Sequence, residues 1–74
     1  MPKLPRLSGR EICAVLKAHG YAAKRQRGSH VVMRKGSSVC VVPDHKEVKT
    51  GTLAGILRQA GITPGVFAAW VKRR

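Results

Sequence analysis

The sequence predicts an α+β fold: one helix, a three-stranded antiparallel sheet, and two more helices packed with the first on one face of that sheet. Three observations carry this expectation. A capping signal at Ser8 opens a stretch whose apolar residues recur at helical spacing. Runs rich in β-branched residues follow, punctuated by Gly28, Gly36 and Pro43. Two further apolar-periodic segments then meet at Gly61 and Thr63-Pro64.

Residues 1–7 hold two prolines and two basic residues and read as an extended lead-in. Ser8 with Glu11 forms a capping box, and Leu7 and Ile12 are spaced as a hydrophobic staple. Ile12, Val15, Leu16 and His19 continue at helical spacing to a C-cap at Gly20, so the first helix spans about 9–19. Tyr21 to Arg27, residues 29–35 and residues 37–43 supply the strands, joined by tight turns at the glycines. The first strand is the most weakly encoded, because Ala22-Ala23-Lys24 has low β-propensity. After a polar loop over 43–49, Lys49 or Thr50 opens a helix with Leu53, Ile56, Leu57 and Ala60 on one face and Gly61 at its end. Pro64 sits at the first position of a third helix expected to bury Phe67, Trp70 and Val71, and 72–74 read as a mobile basic tail.

Seventy-four residues make one domain with a thin core, which leaves no room for a nucleotide-cofactor fold or a deep substrate pocket. Fifteen Lys and Arg against three acids give a net charge of +12, which a single core must display on its outside. Such a field favours nucleic acid through phosphate neutralisation and counterion release. An anionic membrane is a weaker reading, because no helix joins a wide apolar face to a Lys/Arg face. An acidic protein partner is compatible with RNA binding on the same surface. Cys13 and Cys40 both fall in apolar patterns and read as buried free thiols, and the Cys and His spacings fit no zinc pattern. Without an apolar signal region at the N-terminus, the expectation is a cytoplasmic protein that uses no metal or other cofactor.

The element order matches the topology of double-stranded-RNA-binding domains. Two segments carry a narrower resemblance. One is Arg25-Gln26-Arg27-Gly28-Ser29-His30 running into Val31-Val32-Met33. The other is Val42-Pro43 with His45 two residues after the proline, followed by Gly51-Thr52-Leu53, Ile56-Leu57 and Gln59-Ala60-Gly61-Ile62. With the first helix and Gly20-Tyr21, these resemble the HicA toxin family over roughly residues 6–70. The sequence departs from the family pattern at Ala23 and Lys24, where apolar residues are more usual. The resemblance implies a double-stranded-RNA-binding-like fold and the toxin half of a toxin–antitoxin pair. It also implies an mRNA-cleaving endoribonuclease that inhibits translation, a HicB-type antitoxin as partner, and a single functional histidine at His30.

The residues support that role on their own terms. His30 begins a strand just after a glycine turn, a firm base with an open approach. An imidazole can accept or donate a proton near neutral pH. RNA carries its own nucleophile, the 2′-hydroxyl, so cleavage needs proton transfer and stabilisation of charge on phosphate. Lys24, Arg25, Arg27 and Ser29 flank His30 for the second task. His45 is a secondary candidate, better read as a loop histidine that fixes backbone or contacts phosphate. Thr52, after Gly51 at a helix start, is a further possible phosphate anchor. His19, at a helix end, reads as structural. Phe67 and Trp70 read as core, while Tyr21 could be core or a base-stacking platform. Strand parity leaves open which face carries His30, since Val31 and Val32 are both apolar. A non-catalytic RNA-binding module is the main rival reading. A DNA-binding regulator fares worse, because the first helix leads into a strand and not into a recognition helix.

Overall fold

The computed structural model describes residues 7–73. Its elements are α1 (Gly9–Ala18), β1 (Ala22–Arg27), β2 (His30–Lys35), β3 (Ser38–Pro43), α2 (Thr50–Ala60) and α3 (Pro64–Arg73). The strands form one antiparallel sheet in the order β1-β2-β3.

The capping box forms as the spacing predicts. The Glu11 backbone N–H donates to Ser8 Oγ at 3.1 Å, and the Ser8 N–H donates to Glu11 Oε1 at 3.0 Å. Leu7 and Ile12 are both buried beside it. Leu7 also forms an isolated antiparallel bridge with Val48, whose N–H donates to the Leu7 carbonyl at 2.7 Å. The last residue of the expected lead-in is thus fastened into the fold, while residues 1–6 lie outside the described residues. Gly9 enters α1 against the end of β3. A Cβ there would collide with the Pro43 carbonyl oxygen, so a glycine is required for close approach. The two turns between strands each begin on a glycine of positive φ, 55° at Gly28 and 60° at Gly36, where a side chain would strain the backbone.

The core lies between the helices and one face of the sheet. Ile12, Val15 and Leu16 of α1 and Leu53, Ile56 and Leu57 of α2 meet Met33, Cys40 and Val42 of the sheet, with Phe67 of α3 closing it. Strand β1 adds nothing buried: all six of its residues are exposed. Ladder pairing with β2 therefore holds this strand extended, which is how a segment of low propensity forms a strand. Its Lys and Arg side chains and its bulge are features that discourage edge-to-edge association.

Several expectations are corrected or settled here. Phe67 is fully buried, but Trp70 and Val71 are only partly buried and pack against the core from its rim. Helix α3 continues through Lys72 to Arg73, so the expected tail is helical there, and Arg74 lies outside the described residues. Tyr21 belongs to the core, its hydroxyl 2.7 Å from Ser38 Oγ. His19 serves the helix end, with Nδ1 donating to the Val15 carbonyl at 2.9 Å. Both thiols are free: Cys40 is buried and Cys13 half-buried.

Candidate nucleic-acid interface

Alternation along β2 and β3 divides their side chains between two faces. Val31, Met33, Cys40 and Val42 point toward the helices. His30, Val32, Arg34, Val39 and Val41 line a shallow groove on the opposite, open face, which has a volume of about 530 Å³. His30 itself is exposed. The ambiguity left by two adjacent valines is thereby resolved: Val31 faces inward and Val32 outward.

Strand β1 reaches the same groove through an irregularity. Ala22 pairs with Arg34 and Ala23 with Met33, but the next pair is Arg25 with Val32. Lys24 is the extra residue of a β-bulge. In a strictly alternating strand Arg25 and Arg27 would share the inward side of Ala23. The bulge resets the parity, so Arg25 stands beside Val32, Arg27 stands beside His30, and both line the groove with Lys24. Ala23-Lys24 is thus where the strand changes parity.

The turn that delivers His30 is fixed from its inner side. Gln26 Nε2 donates to the Gly28 carbonyl at 3.2 Å and to Asp44 Oδ2 at 3.3 Å. The Asp44 N–H donates to the Ser29 carbonyl at 2.6 Å, which extends the tie between β2 and β3 beyond the His30–Pro43 pair. Ser29 lies in this turn, exposed, and is not among the residues lining the groove.

His45 and Thr52 lie elsewhere. His45 shares a separate depression with Ser8, Arg10 and Lys46, and its carbonyl accepts from the Gly9 N–H at 2.9 Å. Thr52 lines a larger depression of about 810 Å³ at the start of α2, among Lys49, Thr50 and Gly51. That depression contains no histidine, so size does not make it the better candidate. The groove gathers Lys24, Arg25, Arg27 and Arg34 around His30 with no carboxylate among its lining residues. Among the described residues there is no cluster of His, Cys, Asp and Glu able to hold a metal ion. Sequence reasoning missed Arg34, although it lies four residues after His30 on one strand and therefore on the same face. It also missed the outward valines.

No curated protein sequence matches the chain. A family model described as the HicA toxin of bacterial toxin–antitoxin matches residues 9–62. A chain of a solved toxin–antitoxin complex from Streptococcus pneumoniae is similar in structure, with a TM-score of 0.70 and 33% identity. The similarity covers 76% of this chain and 98% of that one. With most of its length inside the family match, and with a fold shared with a chain of a toxin–antitoxin complex, the protein belongs to the HicA toxin family.

Proposed function

We propose that this chain is a metal-independent endoribonuclease that cuts mRNA, with His30 as the proton-transfer group, and so inhibits translation. The observation that carries the reading is the company His30 keeps: four cationic side chains line the same open groove. His30 takes the proton from a ribose 2′-hydroxyl, the 2′-oxygen bonds to the adjacent phosphorus, and the bond from phosphorus to the 5′-oxygen breaks. Solvent returns a proton to the leaving oxygen. Arg27, beside His30, and Arg25 with Lys24, one position along the sheet, offset the charge that builds on the phosphate oxygens. An mRNA substrate places the action in the cytoplasm, and no described helix is long and apolar enough to cross a membrane.

The same reading assigns a HicB-type antitoxin as partner. The similar chain from Streptococcus pneumoniae comes from a toxin–antitoxin complex. A net charge of +12 favours an acidic partner over the basic face, and one docked element suffices to close so shallow a groove.

The test is cleavage of end-labelled RNA in EDTA by wild type and His30→Ala. Wild type is expected to cut, leaving 2′,3′-cyclic phosphate and 5′-hydroxyl ends, and to spare DNA of the same sequence. Comparable cutting by His30→Ala, or loss of activity in EDTA with recovery in magnesium, would overturn the mechanism. Binding without cleavage would favour the RNA-binding module. Purified antitoxin is expected to displace labelled RNA from His30→Ala, and a stable ternary complex would rule out a shared face.

A further inference from the structure

The open face of the sheet is ordered in a way that charge alone does not explain. Its side chains fall into three cross-strand rows: Arg27, His30 and Pro43; then Arg25, Val32 and Val41; then Ala22, Arg34 and Val39. The cations concentrate on β1 and the apolar groups on β3. Val41 is 46% exposed, one of two large hydrophobic side chains so exposed among the described residues. Adjacent strands lie about 4.8 Å apart, so the cationic edge and the apolar edge are separated by roughly 10 Å. That span is comparable to the reach from a phosphate to the far edge of its own base.

We infer that this face binds single-stranded RNA, with phosphates along the β1 cations and a nucleobase next to the scissile phosphate seated on Val41, between Val32 and Val39. The inference deepens the ribonuclease reading and rests on it. In an A-form duplex the base faces are stacked against one another and the major groove is deep and narrow, so a flat sheet cannot bring Val41 onto a base. An unpaired base can leave the stack and cover an apolar patch. Cleavage requires the same freedom, because the regular duplex holds the 2′-oxygen out of line with the leaving 5′-oxygen. Charge complementarity selects a polyanion for this face, and the valine strip beside the cations selects one with accessible apolar surfaces. Although the fold resembles double-stranded-RNA-binding domains, its open face suits an unpaired strand.

The experiment measures binding by cleavage-dead His30→Ala to a labelled single strand, to its duplex, and to the same strand with abasic riboses. Electrostatics alone predicts tighter binding to the duplex, whose phosphates are more densely spaced. The inference predicts tighter binding to the intact single strand. Adding Val41→Ala should weaken that binding by about four-fold, the scale of one methylene-sized group no longer buried. Duplex and abasic affinities should stay unchanged. Val41→Thr keeps the β-branched shape the strand prefers and should show the same pattern, which guards against a folding defect. Duplex binding as tight as the single strand, or an equal effect of Val41→Ala on intact and abasic RNA, would overturn the inference. So would a Val41→Ala variant that weakens only the complex with antitoxin, because the strip would then be a protein-docking surface. These failures leave the cleavage chemistry standing, whereas a protein that neither binds nor cuts RNA removes both readings.

Discussion

Arg27 and His30 are direct partners across the β1–β2 ladder, so their side chains rise together from the open face of the sheet. Side chains so paired have Cβ atoms about 4.5–5.5 Å apart. A phosphate within reach of the imidazole is therefore within reach of the guanidinium. Arg25 is one row farther, opposite Val32. Arg27→Gln should lower the single-turnover rate at saturating RNA more than it lowers affinity. Arg25→Gln should mainly weaken affinity, with the log–log salt slope falling by about 0.7 for one lost phosphate contact to a single strand. Equal effects of the two variants on rate would remove the distinction between them.

The bulge at Lys24 makes an unusual prediction about deletion. Removing one residue from a strand normally sends every later side chain to the other face. Here Lys24 is the unpaired extra residue, and Arg25 and Arg27 already stand in register with Val32 and His30. Deleting Lys24 should therefore leave the fold intact and keep both arginines in the groove, with RNA affinity reduced by the loss of one cation. Circular dichroism, thermal melting and a binding titration check this. Collapse of the fold would show that the bulge itself holds β1 in place.

Gly9→Ala tests how α1 meets the sheet. Alanine is a better helix former than glycine, by about 1 kcal/mol in a helix interior and less at this first helical position, so propensity alone predicts a small gain. The new methyl group would instead collide with the Pro43 carbonyl. A net loss of about 1–3 kcal/mol is expected from this overpacking. The variant should also loosen the backbone tie between Gly9 and His45, and with it the segment that supports the His30 turn. Urea denaturation gives the sign directly, and a stabilised variant would refute the contact.

Burial pushes the Cys40 thiol above its ordinary value of 9.0, opposed by a weaker hydrogen bond from Tyr21. The folded state therefore disfavours the thiolate. Iodoacetamide at pH 8 should leave Cys40 largely unmodified in the native protein and modify it readily in urea. The linkage has a definite sign: the contribution is fully present below 9.0 and is lost as pH rises through the higher folded value. The stability difference between wild type and Cys40→Ala should accordingly shrink in strongly alkaline solution. Rapid native alkylation would mean that the site opens more easily than its packing indicates.

Local chemistry was enough to read much of this protein from its sequence. Ser8 and Glu11 mark a helix start because two backbone donors need partners there, and Gly28, Gly36 and Gly61 mark turns because they supply positive φ. The excess of Lys and Arg pointed to a polyanion, and Gly28-Ser29-His30 marked the turn that carries the proposed base. Tertiary structure decided the rest. Trp70 has a core-like spacing, yet in so small a fold Phe67 is the α3 residue that is fully buried and Trp70 stays at the rim. Neither the face of His30 nor the meeting of Arg25 and Arg27 with it could be read from alternation. Both depend on which valine the helices cover and on the one-residue slip at Lys24, and strand parity is a property of pairing, which a single strand's sequence does not contain.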